Sequence, residues 1–311
     1  MARIVLFTRT GFHHTCFINR MQERFQIACV VREAYPRDHQ RRKIPLTTAK
    51  KSLGRNGING IRDIFFLKKF HKTYSAGFGY HPALKDCLQA QFDSVVERRG
   101  TEYLNIECGG INSNEFASFI RDLRPDIIAV LGSSVIKPHI ISIPSMAIIN
   151  IHSGLSPYYR GTWSYGWPIV NNEPEYIGVT LHHINPGIDT GDIIYQTRPL
   201  LEGRDDLNTI FLKVISEGME LAVKAIEELS ETGGIKSYRQ PPDTGLLYLS
   251  KDFNADAARL CLANLQSGII RRYNSGKEAR DSGTRLYGYV PPCIHNKPEG
   301  EKRAGGGPGG V

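Results

Sequence analysis

The sequence predicts an α/β protein, with a Rossmann-like and mostly parallel sheet, helices on both of its faces, and a small C-terminal appendage. Three observations carry that expectation. Short apolar runs rich in β-branched residues recur along the first two thirds of the chain, amphipathic stretches separate them, and turn residues follow them. Residues 3–7 (RIVLF) and 25–31 (FQIACVV) bracket a polar stretch with Gly11 and an amphipathic piece over 17–25, the pattern of a βαβ unit. Residues 116–123 (FASFIRDL) read as a helix that ends before Pro125. The run 126–131 (DIIAVL) is the next buried strand and is followed by the turn Gly132-Ser133-Ser134; 146–151 (MAIINI) makes another strand, and 192–195 a further one. No internal repeat is visible.

Beyond the strands, a packing helix is expected over 208–229. Phe211, Val214, Ile215, Leu221, Ala222, Ala225, Ile226 and Leu229 approximate a 3.6-residue period, and Gly233-Gly234 supplies the stop. A second helix, 255–267, follows Asp252-Phe253-Asn254. Residues 296–311 (NKPEGEKRAGGGPGGV) are too rich in Gly and Pro to pack and read as a disordered tail. The expected organisation is a catalytic domain over 1–205 carrying a basic insertion at 32–80, a helical appendage over 206–295, and the tail.

Composition excludes several classes. With 311 residues, 41% hydrophobic and 23% charged, the chain has an ordinary globular balance and is not disordered as a whole. No apolar run reaches the roughly 18 residues a membrane helix needs; the best, 139–151, is interrupted by Ser142, Pro144 and Ser145. The N-terminal run lacks a long apolar region and a small-residue cleavage site, so it reads as a first strand, and the cytoplasm is the expected compartment. Six scattered Cys without a Cys-x-x-Cys pair argue against a disulfide scaffold or zinc module, and no metal is expected. The net charge of +8 is local: residues 32–72 hold 12 Lys and Arg against three acids, and the remainder is near neutral.

The stretch 147–195 carries the chemistry. Asn150 and His152 lie two apart at the end of an apolar strand, so both side chains share a face. The loop 153–161 that follows is dense in Gly, Pro, Ser and Tyr, and the turn Gly187-Ile188-Asp189-Thr190-Gly191-Asp192 presents two carboxylates between glycines. If that turn folds back, an amide, an imidazole and a carboxylate converge. The amide donates to a developing oxyanion, the imidazole moves a proton near neutral pH, and the carboxylate orients it or holds a water. An acceptor that brings its own amine needs no nucleophilic Ser or Cys. The plainer alternative is that Asn150 and His152 merely cap a strand.

Asn150-Ile151-His152, the turn Leu155-Ser156-Pro157-Tyr158-Tyr159-Arg160-Gly161, Gly178-Val179-Thr180 and Ile188-Asp189-Thr190-Gly191-Asp192 together resemble the folate-dependent formyltransferases, over about 125–196 and more weakly from residue 1. The resemblance implies 10-formyltetrahydrofolate as formyl donor, Asn150 polarising the formyl group, His152 as general acid-base, and Asp189 orienting His152 and helping to deprotonate the attacking amine. It also implies that the pterin ring lies between loops Ser134-Val135-Ile136 and Asn185-Pro186-Gly187-Ile188, with Ile141 as an apolar wall. Arg9, Thr10 and Gly11, after the first strand, would hold an acceptor phosphate, with Tyr159 and Arg160 as further substrate contacts. Ser156 stands where the family carries an apolar residue, and nothing after 205 resembles the barrel that methionyl-tRNA formyltransferases append.

The expected acceptor is thus a small primary amine, phosphorylated or nucleotide-linked and most in keeping with an amino sugar. Methionyl-tRNA, glycinamide ribonucleotide or an amino acid stays open as acceptor, as does water in a hydrolase, and nucleic acid is not the expected partner. Residues 58–70 (INGIRDIFFLKKF) form a basic amphipathic stretch. It either packs on its own domain, attracts the acceptor, or touches an anionic membrane, which leaves open a non-enzymatic surface-binding module over 32–72. Of His182 and His183 on a strand, one faces in and one out, and neither has metal-ligand spacing. A homodimer is also compatible with the sequence.

Overall fold

The structure, a computed structural model, describes residues 2–34, 46–74 and 94–293, without the side chains of 46–59. Residues 35–45 and 75–80 of the predicted basic insertion 32–80, and the predicted tail, lie outside the described residues.

Seven strands form one sheet. They are β1 (Ile4–Arg9), β2 (Ile27–Ala34), β3 (Glu102–Glu107), β4 (Ile127–Val130), β5 (Ala147–His152), β7 (Val179–His183) and β8 (Ile193–Thr197), and the short β6 (Tyr159–Gly161) lies outside it. The order is β3-β2-β1-β4-β5-β7-β8. The first five are mutually parallel, and β7 and β8 add antiparallel at one edge. This is the mostly parallel α/β fold that the apolar runs predict. Ile4 and Leu6 enter one apolar cluster while Val5 and Phe7 enter another, so β1 is buried on both faces. The chain reverses its winding between β1 and β4, and in open α/β sheets the crevice at such a point takes ligands.

The helices cover the two faces. On one lie α1 (Phe12–Arg24) and, after α2 (Leu46–Tyr74), α3 (Asn114–Leu123), the short α4 (Pro138–Ile141) and α5 (Trp167–Val170), the long α6 (Leu207–Thr232). Helix α3 buries Phe116, Ala117 and Ile120 against the opposite face. Asp206 opens α6 with a capping box to Thr209, and Gly233, at φ 76°, closes it. The helix lies against β5, β7 and α1, and residues on both sides of position 205 share one core. Gly218 allows that closeness: a Cβ there would stand 2.4 Å from Ile151 Cγ2.

After α6, the strand β9 (Leu246–Tyr248) pairs in parallel with β6, and α7 (Ala255–Gln266), α8 (Ile269–Ser275) and α9 (Lys277–Ser282) follow. Helix α7 packs on α5 and α2. Phe70 of α2 is buried against Trp163 and Phe253, Arg259 of α7 stacks 4.8 Å above Phe66, and Arg259 pairs with Asp63. The basic helix therefore packs its apolar side on its own domain. Phe65, 66% exposed, is on the solvent side near Lys68. No helix among the described residues is long and apolar enough to cross a membrane.

Candidate functional site

The carboxyl end of β5 supplies the first two groups. Asn150 and His152 point the same way as the period of two requires, and both line a cleft of about 760 Å³. Antiparallel pairing puts His182 of β7 directly opposite Asn150 and Thr180 opposite His152. Asn150 Nδ2 lies 3.2 Å from His182 Nε2, and His182 Nδ1 lies 2.7 Å from the His183 carbonyl. A carbonyl only accepts, so Nδ1 carries a proton, and Nε2 faces the Asn150 amide. One Asn150 N–H remains for a ligand.

The same reasoning fixes His152, which is 5% exposed. Its Nε2 lies 2.8 Å from the Tyr159 carbonyl and donates to it, which leaves Nδ1 as the nitrogen that takes up or releases a proton. Asp189 Oδ2 stands 3.3 Å from that Nδ1, and Oδ1 stands 3.5 Å from His182 Nε2. The turn does fold back. Asp189 occupies the left-handed region at φ 51°, a conformation uncommon outside glycine and one that clusters at working sites. Gln240 holds it there, donating to the carbonyls of Asp189 (2.9 Å) and Gly191 (2.7 Å). Asn185 Oδ1 accepts from the Gly187 amide and the Thr190 hydroxyl and closes the other end of the turn.

The electrostatics follow from burial. Loss of water lowers the His152 pKa below its ordinary 6.5, against the opposing pull of Asp189 and the Tyr159 carbonyl, so the ring is a neutral base near pH 7. Burial alone would raise the Asp189 carboxyl. The charge of a protonated His152, the neighbouring His182 ring and the Gly161 amide at 2.9 Å outweigh it and keep Asp189 ionised, well below the usual carboxylate range. A buried base beside a fixed anion accepts a proton and has the resulting imidazolium held on both sides.

The remaining walls divide into two. On one side lie Ser133, Ser134, Val135 and Ile136 after β4, and Asn185, Gly187 and Ile188 after β7. Val135 is 69% exposed and Ile188 41%, so two apolar side chains stand open beside loop backbone at the cleft edge. On the other side lie Arg9, Thr10 and His13, then Trp163, Tyr165 and Phe211, and finally Tyr248, Leu249 and Ser250. Burial lowers His13 to about 4.

Several expected contacts fall elsewhere. Ile141 is not a cleft wall, because α4 turns it into the second apolar cluster. Pro186 and Gly11 do not line the cleft, although Gly11 caps α1 beside Thr10. Tyr159 and Arg160 do not line it either. The Tyr159 ring is buried with its hydroxyl on Glu173, and it is the main-chain carbonyl of this residue that reaches the site, through His152. The residues that spacing misses are Gln240 and 248–250, which come from far along the chain with no motif to mark them. Among the described residues, no group of three or more His, Cys, Asp or Glu is placed to hold a metal ion.

Residues 89–226 match the family described as formyl transferase, and the matched stretch contains Asn150, His152, His182 and Asp189. Residues 89–226 thus form a formyl transferase domain. Among curated proteins the formyltransferase domain is similar to methionyl-tRNA formyltransferase of Desulforamulus reducens, 37% identical over 122 residues that make up 39% of this chain and 38% of the relative. It is also similar to the methionyl-tRNA formyltransferase of Caldanaerobacter subterraneus, 33% identical over 148 residues, 46% of this chain and 47% of that one. The matches thus span less than half the length of these relatives. In fold alone, the chain resembles a sugar N-formyltransferase from a Shewanella species, with TM-score 0.50 and 16% identity over 85% of this chain and 87% of that chain. Neither β9 nor Gln240 belongs to the matched stretch.

Proposed function

We propose that this protein transfers a formyl group from 10-formyltetrahydrofolate to a primary amine, and that the amine belongs to a nucleotide-linked amino sugar. The observation that carries the reading is the convergence of Asn150, His152 and Asp189 in one cleft, 3.3 Å separating His152 Nδ1 from the carboxylate. The loops 133–136 and 185–188 suit the donor. They offer backbone groups together with the open apolar faces of Val135 and Ile188, and the cleft volume lies within the range of small-molecule sites.

When bound, the donor supplies an activated formyl group attached to nitrogen. The chain does the rest with three side chains. The free Asn150 N–H donates to the formyl oxygen as negative charge develops on it. His152 Nδ1 takes the proton that the acceptor nitrogen loses on forming its bond to the formyl carbon, and returns a proton to the departing donor nitrogen as its bond to carbon breaks. Asp189 Oδ2 stabilises the imidazolium between those two events, while the Tyr159 carbonyl keeps the ring from turning. No residue of the chain is acylated.

The amino-sugar acceptor rests on the second wall. Arg9 and Thr10 next to the amino end of α1 suit a phosphate, and the aromatic side chains of Trp163, Tyr165 and Phe211 suit a sugar or base face. The test is incubation of the purified protein with 10-formyltetrahydrofolate and a panel of nucleotide-linked amino sugars, with methionyl-tRNA and glycinamide ribonucleotide in parallel. Tetrahydrofolate release and a product heavier by one formyl group are expected with a sugar. Turnover with tRNA alone would reject the sugar, and release without any amine would make the protein a hydrolase.

A further inference from the structure

We infer that Glu33 and Asn112, which do not line the cleft, are positioning residues that set the donor-side loop 133–137; the inference rests on the formyl-transfer reading above. Glu33 is 1% exposed near the end of β2. It continues the stripe of Cys29 and Val31, which faces the second apolar cluster, and a carboxylate on such a surface is costly unless its oxygens find donors. Both do. Oε1 accepts the Gly109 amide at 2.8 Å, and Oε2 accepts the Ser134 amide at 2.6 Å.

These donors belong to different loops. Gly109 follows β3 and Ser134 follows β4, so one side chain on β2 ties together turns at the carboxyl ends of two other strands. Asn112 does the same from the turn after β3. Its Nδ2 donates to the Val135 carbonyl at 2.9 Å, its Oδ1 accepts the Lys137 amide at 2.8 Å, and its own carbonyl stands 3.2 Å from His139 Nε2. Three main-chain groups of the loop, the Ser134 N–H, the Val135 C=O and the Lys137 N–H, are thereby held from outside. With the main chain so held, the Val135 side chain stands exposed at the cleft edge. The loop presents a fixed surface to the donor without depending on the donor to order it.

The experiment compares Glu33→Gln and Asn112→Ala with the unaltered protein. It measures affinity for the unreactive probe 5-formyltetrahydrofolate, kcat and acceptor KM in formyl transfer, and amide exchange over 132–137. Glu33→Gln should weaken probe binding about tenfold, the effect of one lost charge-assisted hydrogen bond. kcat at saturating donor should stay within about twofold, acceptor KM should not move, and exchange over 132–137 should rise; a merely structural role would not separate these readings. Asn112→Ala, on a half-buried side chain, should weaken the probe several-fold and keeps the inference testable if the Glu33 variant does not fold. Unchanged probe affinity in a folded variant, or a fall in kcat with donor affinity intact, would overturn the positioning role. An unaltered protein that binds no folate would instead remove the formyl-transfer reading, and this inference with it.

Discussion

The two walls of the cleft are made from different material. The wall proposed for the donor and the proposed catalytic trio come from strand ends and the loops that follow them, all within the matched stretch 89–226. The opposite wall is assembled from pieces remote in sequence. Tyr248 of β9 stacks on Trp167 at 3.8 Å and 11°, and Trp163 stacks on Phe253 at 4.5 Å, with Phe70 of α2 packed behind it. The sheet carries the proposed catalytic groups, whereas an aromatic cluster contributed partly by segments outside the family match shapes the other side. On the proposed reading, acceptor choice is separable from chemistry.

The largest effects should come from breaking the strand-end side. His152→Ala and Asp189→Ala should each reduce formyl transfer by about 10²–10⁴-fold without unfolding the protein, as expected for loss of a general base or of the anion that stabilises its protonated form. Full activity in either variant would remove that residue from the mechanism. Asn150→Ala should lower kcat by about 10²–10³-fold, the range for one oxyanion donor, and leave folate affinity close to normal.

Smaller effects probe the other wall. Tyr248→Ala removes a stack onto Trp167, so acceptor KM should rise several-fold while the donor affinity holds; a change in the donor alone would contradict the separation. Gly161→Ala would place a Cβ 2.0 Å from the Tyr248 carbonyl at a left-handed φ of 89°, and β6 should part from β9 with loss of acceptor affinity and a lowered melting temperature.

Acidity sharpens the comparison further. His152 must be neutral to accept a proton, and burial lowers its pKa below 6.5, so kcat/KM should fall on the acid side only below that value. Glu217 of α6, away from the cleft, behaves oppositely, because burial raises it from 4.5 to about 7. Its folded form holds the proton more tightly than the unfolded form, so its contribution to stability is present below about pH 4.5 and is lost as pH rises to about 7. Glu217→Gln should thus raise the melting temperature by about 2–4 °C at pH 8, with a smaller change at pH 5 and no effect on the acid limb of activity.

Most of the sheet was legible because apolar runs buried on both faces can be read from the sequence alone. The predicted runs at 126–131 and 146–151 correspond to β4 and β5 within a residue or two, and the predicted helix at 208–229 lies within α6. Asn150 and His152 were legible for the same reason, since strand periodicity fixes their common face. His182 was legible only as one of a pair with an undecided inward partner; the register of β7 on β5 decides it. Gln240, Tyr248 and the Glu33 clamp were not legible. Their roles arise from contacts between segments far apart in the chain, and a lone Gln or Glu carries no local period or spacing. Ile141, placed beside the pterin ring by resemblance alone, packs through α4 on the second apolar cluster.

The bond from His152 to the Tyr159 carbonyl has a genetic implication. The group that fixes the proton on the imidazole is a peptide oxygen, present whatever residue occupies position 159, so no single codon change there deletes it. Replacing Tyr159 would disturb the ring and its contact with Glu173, yet the acceptor atom would survive. Only a shift of the β6 backbone, which Leu246–Tyr248 holds in register from some ninety residues away, could free the imidazole to turn over.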